Sequence, residues 1–212
     1  MTGALLTSVN VGVPRKIPGT GKPTGIYKQP VSGMVAIGRD GLAHDIIADR
    51  HHHGGADQAV YVYFNADYAF WAAQGVETAP GLFGENLTID GPDSATTAIG
   101  DRFAIGEVLL EVTYHRTPCM TFAAKMGEPR WLKRFHQARR PGAYCRVLQA
   151  GSVEAGMEIA VTSYAGERVT VAELMGFDGV ADIPRDFMSR ALTTPIREKT
   201  RFKYENRLAS LF

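Results

Sequence analysis

The strongest constraint on the fold is a succession of short apolar segments separated by glycine- or proline-bearing turns. Within residues 108–114, Leu110, Val112 and Tyr114 alternate as expected for one face of a strand. Similar segments predict strands at 4–9, 31–37, 82–89, 104–105, 142–149 and 157–163. No segment carries a dinucleotide-type glycine fingerprint or a phosphate loop. We therefore predict a mainly β protein with interspersed helices, built as a β-barrel or curled mixed sheet rather than a doubly wound sheet.

Helices are predicted at two places within this β-rich body. In residues 57–71, apolar and aromatic side chains recur at spacings of three and four, with Asn65 as a local cap; they are Val60, Tyr63, Phe64, Tyr68 and Trp71. Residues 122–138 predict two short helices that separate at Gly127. Both segments lie between predicted strands, so the helices are interspersed in the β-rich body.

The last fifth of the chain changes to a helical pattern. Thr170 and Glu173 form a capping box, Asp182 precedes Pro184, and Thr194 precedes the proline at position 195. These signals predict three short helices. We therefore divide the chain into a barrel domain, 1–165, and a three-helix subdomain, 166–212.

Composition excludes several classes of protein. The 212 residues suit one sizeable domain, and a net charge of +1 argues against a broad nucleic-acid or membrane surface. Cys119 and Cys145 are the two cysteines, which excludes a disulfide scaffold and favours the reducing cytoplasm. Residues 1–10 do not resemble a signal peptide, and no apolar run approaches the length of a membrane span.

The segment 116–119, Arg-Thr-Pro-Cys, is the first candidate for chemistry. A thiolate at Cys119 is a soft ligand that suits molybdenum, copper(I), zinc or sulfur transfer, and Arg116 can keep it ionised. The alternative is a buried cysteine that packs as a small apolar side chain. Cys145 lies in a plain strand pattern, so we assign it to packing.

Two glycine-bearing turns lie upstream of that cysteine. At His53-Gly54-Gly55 the backbone can approach a ligand and point its amides at a phosphate, or the turn is simply solvated. Glu85 and Asn86 offer acceptors and donors to a pterin-like or purine-like ring edge, or serve ordinary turn chemistry. Arg146 can extend an anion site.

Taken together, these motifs resemble the MOSC domain family (molybdenum cofactor sulfurase C-terminal domain), and more closely its small stand-alone YiiM-like bacterial members. The resemblance runs through residues 41–60, with Asp49 and Asp57, and then through 83–88, 99–101, 116–119 and 144–147. Each motif alone is weak, but their order and spacing are specific. The tail from 170 to 211 is similar to the three-helix unit that follows the barrel in that subgroup.

The resemblance implies a MOSC-type β-barrel that binds a molybdopterin-type molybdenum cofactor, with Cys119 as the metal ligand and catalytic residue. The cofactor-binding residues that it implies, or that the neighbouring charges suggest, are Arg50, His53, Gly54, Gly55, Asp57, Glu85, Asn86, Arg116 and Arg146. Similar proteins reduce N-hydroxylated bases such as hydroxylaminopurine and so detoxify mutagenic analogues. They take electrons from a separate reductase. We expect a molybdenum-dependent oxidoreductase that is a monomer or homodimer, with no nucleic-acid or membrane partner.

Two other functions stay open at this point. MOSC domains also occur fused to cofactor sulfurases, which allows a non-enzymatic cofactor carrier or sulfur-handling module. The three histidines at 51–53 allow a zinc-binding protein. Two positions depart from the family pattern, because Gln58 stands where a basic residue is usual and His44 where glycine is common. Arg50 and its histidine neighbours can replace the missing charge.

Overall fold

The computed structural model describes residues 3–17, 23–46 and 54–210. In these residues the strands are β1 (Ala4–Gly12), β2 (Arg15–Lys16), β3 (Pro23–Thr24), β4 (Lys28–Pro30), β5 (Val35–Gly38), β6 (Gly41–Leu42), β7 (Val60–Phe64), β8 (Leu87–Asp90), β9 (Arg102–Ile105), β10 (Val108–His115), β11 (Ala143–Gln149), β12 (Gly151–Val153) and β13 (Glu158–Thr162). The α-helices are α1 (Asn65–Ala72), α2 (Met120–Lys125), α3 (Arg130–Ala138), α4 (Val171–Met175), α5 (Arg185–Leu192) and α6 (Glu198–Ala209). A short 3-10 turn, Ala56–Gln58, precedes β7.

Seven of the described strands close into a barrel in the order β13-β9-β10-β11-β7-β8-β1. β1 closes it by pairing with β13, where Leu5 lies opposite Glu158. Neighbouring strands are antiparallel except β7 and β8, which are parallel and are joined through α1. The predicted β-barrel with interspersed helices is confirmed.

The barrel interior and the helices share one continuous apolar core. Leu6, Phe64, Phe103 and Leu110 are fully buried inside it. On the helical side, an aromatic group joins α1, α2 and α3, with the Phe122 and Phe135 ring centroids 5.0 Å apart. Its members are Trp71, Phe83, Phe122, Trp131 and Phe135. The helices that follow β10 are therefore fixed to the barrel by packing.

The predicted helix over 57–71 is wrong in its first half. Val60–Phe64 is strand β7, and the helix begins only at Asn65, which is its first residue rather than its cap. All five residues of β7 are buried, because the strand has the barrel interior on one face and other packed residues on the other. A strand buried on both faces loses the polar–apolar alternation that would have distinguished it from a helix.

Three helices follow the last strand, as the tail pattern predicts. The Thr170 hydroxyl accepts a bond of 3.1 Å from the amide of Glu173, which confirms the predicted start of α4. The other two starts were placed too early. α5 begins after Pro184 without a side-chain cap, and the Thr194 hydroxyl donates back to the carbonyl of Ala191 at 2.7 Å. The boundary at 166 stays a prediction.

Outside the barrel, β5 pairs with β6 and β12, and β2 pairs with β3. In sequence, β3 and β5 lie on either side of β4. None of the helices in the described residues combines the length and the apolar character needed to cross a membrane.

Candidate functional site

The motifs singled out in the sequence meet at one end of the barrel. One row of register partners runs across four strand pairs through His115, Ala143, Val62, Leu87 and Val9. The Arg116–Cys119 segment directly follows the β10 end of this row, and Glu85 and Asn86 directly precede its β8 member. Strand pairing thus brings two motifs about 30 residues apart to the same rim.

Cys119 lies at this rim, immediately before the first residue of α2. It is partly buried, and its carbonyl accepts the amide of Ala123 at 3.0 Å, so the thiol is carried on a well-defined helix start. Cys145, on β11, is fully buried, and this burial raises the pKa of its thiol. Neither is in a disulfide. Of the two thiols, Cys119 is the one that a ligand can reach.

Arg116 is buried under the same rim, with 4% of the residue exposed. Its guanidinium carbon lies 4.9 Å from the Phe122 ring centroid and 5.5 Å from that of Tyr61. Burial acts to lower the pKa of this guanidinium, but the neighbouring Tyr144, Tyr61, Cys119 and Glu85 outweigh it, so the pKa is raised. Its Nη1 has no hydrogen-bond partner among the described residues. A buried, charged and partly unsatisfied guanidinium favours an anionic ligand.

Glu85 is fully buried beside this arginine. Its Oε1 accepts three bonds, from the Tyr68 hydroxyl at 2.5 Å, the Gly81 amide at 2.6 Å and the Thr88 hydroxyl at 3.1 Å. Burial raises the pKa of this carboxyl. Its Oε2 is buried and lacks a partner within the described chain. The Oε2 atom of Glu85 is therefore available for a hydrogen bond with a bound molecule.

Asp45 forms a clamp with residues from three other segments. Its carboxylate accepts from Lys28 Nζ at 2.5 Å, from Asn86 Nδ2 at 2.8 Å and from the Gly12 amide at 2.8 Å. The Asn86 Oδ1 accepts the Tyr61 amide at 3.1 Å. Both the Oδ1 and the Nδ2 of Asn86 are thus hydrogen-bonded within the protein, and this side chain links β7 to Asp45.

Lys125, on α2, brings a further cation to the rim. Its Nζ donates to the carbonyls of Gly81 at 2.6 Å and Ile26 at 3.0 Å. Burial lowers its pKa to about 8, with Glu85 opposing that effect and Arg116 adding to it. Burial also lowers the pKa of Lys28, against the pull of Asp45. Lys125 therefore loses its positive charge as the pH rises through about 8.

We name these seven residues the mouth cluster: Lys28, Asp45, Glu85, Asn86, Arg116, Cys119 and Lys125. Sequence analysis predicted four of them and missed Lys28, Asp45 and Lys125. Lys28 lies in a Gly- and Pro-rich stretch that predicts only a surface loop, and Asp45 carries no motif. The position of Lys125, six residues after Cys119 and within the first helix predicted for 122–138, is the one signal that could have indicated it.

Arg146 and Asp57 are brought together, but with other partners. Arg146 Nη2 lies 2.8 Å from Asp57 Oδ1, and its Nη1 lies 3.6 Å from Glu111. Arg102 binds the other oxygen of Glu111 at 2.8 Å. We name Asp57, Arg102, Glu111 and Arg146 the Arg146 network. It ties the 3-10 turn to β10 and β11.

The remaining predicted residues fall at or beyond the edge of the described chain. The described residues resume at Gly54. Its neighbour Gly55 adopts φ 91° and has open space where a Cβ would lie, so the backbone of this turn can approach a ligand. Arg50 and His53, with the other histidines of the cluster, lie outside the described residues. His44 adopts φ 63°, which explains why glycine suits this position.

Two further observations concern the aromatic side chains near the site and metal binding. Tyr63 and Trp71 are fully buried and Tyr61 nearly so, and the Trp71 Nε1 donates to the Tyr63 hydroxyl at 2.8 Å. Tyr63 and Trp71 therefore belong to the core. Among the described residues, no group of three His, Cys, Asp or Glu side chains could hold a metal. A metal bound by Cys119 would therefore need further ligands from a bound molecule or from residues outside that set.

Comparison with known proteins identifies the family. A profile of the MOSC domain matches residues 49–160. The chain belongs to the MOSC domain family. Among its relatives is YflK of Bacillus subtilis (strain 168), 34% identical over 169 residues, which are 77% of this chain and 76% of YflK. YiiM of Escherichia coli (strain K12) is 31% identical over 157 residues, 72% of this chain and 70% of YiiM.

Solved structures agree with this assignment to the MOSC family. The crystal structure of YiiM from Geobacillus stearothermophilus superposes with a TM-score of 0.80 at 26% identity, covering 97% of this chain and 99% of that one. That of YiiM from Escherichia coli has a TM-score of 0.74 at 22% identity, which shows the fold alone. The predicted YiiM-like resemblance is confirmed.

Proposed function

We propose that this MOSC protein binds a molybdopterin-type molybdenum cofactor at the mouth cluster and reduces N-hydroxylated bases such as hydroxylaminopurine. The observation that carries the proposal is a partly buried thiol, Cys119, beside a buried Arg116 with an unsatisfied Nη1. Thiolate sulfur suits a soft metal, and a buried guanidinium suits a phosphate or another anion. One protein site thus supports both parts of a metal–organophosphate cofactor.

The mouth cluster also fits the organic part of such a cofactor. Arg116 and Lys125 supply positive charge, and the unsatisfied Oε2 of Glu85 can form a hydrogen bond with a ring edge. The open side of Gly55 leaves room for the turn amides to reach a phosphate. Arg50 and His53 belong to this proposed set through the family resemblance.

Other residues in the proposed set act by holding these groups in place. Asp45 and Asn86 fix Lys28 and the start of β8, as their bonds of 2.5–2.8 Å indicate. Asp57 and Arg146 fix the 3-10 turn that follows Gly55. A cofactor held by several elements is oriented with little freedom, which favours a fixed approach of substrate to the metal.

The proposed reaction consumes two electrons and two protons. The N–O bond of the N–OH group breaks, an N–H bond forms, and the oxygen leaves as water. When bound, the cofactor supplies the redox centre for this chemistry. The electrons come from a separate reductase. In support, a protein called "Reductase" from Gibberella moniliformis is 34% identical over 141 residues, which form 25% of its length and 64% of this chain.

Metal analysis of protein made in a cofactor-producing host tests the ligand assignment. We expect near-stoichiometric molybdenum in the wild type and in Cys145→Ser, and at least a tenfold loss in Cys119→Ser, roughly as expected for a removed metal ligand. Cys145 is the matched control, because it is the other thiol and is buried. Equal molybdenum and equal N-reduction in Cys119→Ser would contradict the proposal.

The same preparations separate an enzyme from a carrier. Purified protein is supplied with a chemical reductant and hydroxylaminopurine, and the amine product is measured. Multiple turnovers per molybdenum support the enzyme. Release of the cofactor to an acceptor apoenzyme without turnover supports the carrier or sulfur-handling alternative.

A further inference from the structure

The C-terminal helices contact the segment that carries Cys119. Asp178, in the turn after α4, accepts from the Thr117 hydroxyl at 3.0 Å through Oδ2. Its Oδ1 accepts from the Tyr114 hydroxyl at 3.3 Å and lies 3.3 Å from His115 Nε2. One carboxylate of the tail thus contacts three residues within the four that end β10 and enter the Arg-Thr-Pro-Cys segment.

The start of α6 holds the same segment from a second direction. The Arg197 amide donates to the carbonyl of Thr113 at 3.1 Å, and the Arg197 guanidinium carbon lies 3.2 Å from the Tyr114 ring centroid. The tail itself is rigid around these contacts, because the Phe177 and Phe187 ring centroids lie 4.0 Å apart. The carboxylate of Asp178 is therefore presented by a packed element rather than by a loose loop.

The carboxylate is suited to this role because it stays ionised. Burial acts to raise the pKa of Asp178, but the interactions with His115, Thr117 and Tyr114 outweigh it and the pKa is lowered. The Thr117 and Tyr114 hydroxyls therefore donate to a charged acceptor, which makes each bond stronger than one to a neutral group. The Nε2 of His115 lies 3.3 Å from the same carboxylate without forming a hydrogen bond. Nothing else in the described residues bonds to the Thr117 hydroxyl.

We propose that Asp178 is a positioning residue for Cys119. By holding Thr117 two residues before the thiol, together with Tyr114 and His115, it sets the direction in which the chain leaves β10. Pro118 transmits this direction, since its ring fixes one backbone angle between the tethered residue and the thiol. The C-terminal helices, which lie beyond the matched MOSC profile of residues 49–160, are on this view part of the site.

Thiol alkylation measures this positioning without any cofactor. We compare wild type, Asp178→Ala and Asp178→Asn, made in a host that lacks the cofactor, and follow iodoacetamide labelling of the native proteins by peptide mass spectrometry. Asp182→Asn is the matched control, since Asp182 is a fully exposed carboxylate four residues further on, 3.8 Å from Arg207. Labelling at Cys145 reports global opening, because this thiol is buried in the core.

We expect Asp178→Ala to label about tenfold faster at Cys119 than wild type, roughly the effect of losing one hydrogen bond to a charged group. Labelling at Cys145 stays slow. Asp178→Asn, which keeps one acceptor oxygen for Thr117, returns the rate to within about twofold of wild type. Asp182→Asn is indistinguishable from wild type. An unchanged Cys119 rate in folded Asp178→Ala, or equal acceleration at both thiols, overturns the proposal.

The consequence for metal binding rests on the proposed function and is measured separately. In a cofactor-producing host, Asp178→Ala should retain less molybdenum than Asp182→Asn. If no variant and no wild type holds molybdenum while the labelling difference persists, the cofactor proposal fails and the positioning role stands. If molybdenum is present and the labelling rates are equal, the positioning role fails and the cofactor proposal stands.

Discussion

The mouth cluster and the Arg146 network both combine charged side chains at the barrel wall, but they differ in how the charges are paired. In the network, each carboxylate meets an arginine: Asp57 binds Arg146 at 2.8 Å, and Glu111 binds Arg102 at 2.8 Å. In the mouth cluster, Arg116 Nη1 and Glu85 Oε2 have no partner among the described residues. The network also leaves one atom, Arg146 Nε, without a partner among the described residues, but both of its carboxylates are paired. The mouth cluster leaves a carboxylate oxygen as well as a guanidinium nitrogen unpartnered, which favours binding a ligand.

The sharpest test compares the two arginines directly. Arg116→Met should lower molybdenum and pterin content at least tenfold, roughly the effect of losing a charge-assisted bond to an anion. Arg146→Met should lower it less than threefold, while it lowers the free energy of unfolding because Asp57 and Glu111 lose a partner. Cofactor content by metal analysis and stability by urea unfolding provide the two readouts. An equal loss of cofactor in Arg146→Met would place it among the cofactor-binding residues, as the sequence predicted.

The charge of Lys125 gives the mouth cluster a pH dependence in the mildly alkaline range. Its pKa is about 8 in the folded protein against an ordinary lysine value of 10.5, so the unfolded chain binds more protons between these limits. The contribution of this group to the free energy of unfolding therefore rises with pH from about 8 to 10.5. The rise totals about 3 kcal/mol at 1.36 kcal/mol per pKa unit.

Urea unfolding of wild type and Lys125→Met from pH 7 to 10 measures this contribution. The difference between the two proteins should shift in favour of wild type as the pH rises. A difference that is constant with pH would mean that Lys125 is as well solvated as an ordinary surface lysine.

The two cysteines also differ in role, and the expected effect on stability is smaller. Cys145 is buried on β11 and packs as a small apolar group, so Cys145→Ala should cost about 1 kcal/mol of stability. It should leave molybdenum content unchanged. Thermal unfolding and metal analysis check both statements, and a loss of metal without a loss of stability would assign Cys145 to the site.

The smallest expected effect concerns His44, which precedes the clamp residue Asp45. At φ 63° a side chain is strained, whereas glycine is not, so His44→Gly should raise the free energy of unfolding by about 0.5 kcal/mol. The free energy gained by relieving strain in the folded state only slightly exceeds the free energy lost to the greater conformational entropy of glycine in the unfolded chain. Destabilisation by urea unfolding would indicate that the imidazole makes a contact worth more than the strain.

The sequence predicted those parts of the molecule whose signals are local. Gly-bearing turns and alternating segments predicted the barrel, and Arg116, Pro118 and Cys119 are close enough in sequence to form a motif. The error at 57–64 arose because β7 is buried on both faces, so its periodicity carries no information.

The missed site residues have a different cause. Lys28 and Asp45 meet Asn86 only after the segment 23–46 folds across the end of β1, and no local pattern encodes that approach. The backbone comes so close there that a Cβ on Gly25 would lie 1.7 Å from the Ile46 carbonyl oxygen. Such contacts depend on the tertiary fold, and single-sequence patterns do not report them.

The closure of the barrel by β1 and β13 has a consequence for synthesis on the ribosome. β1 pairs with β4 and β8 early in synthesis, but the edge at Leu5 pairs with Glu158, which is made about 150 residues later. At roughly 5–20 residues per second this interval is about 8–30 s, during which an unpaired hydrophobic edge is exposed. We therefore expect nascent chains to bind a chaperone that shields strand edges until β13 has been translated.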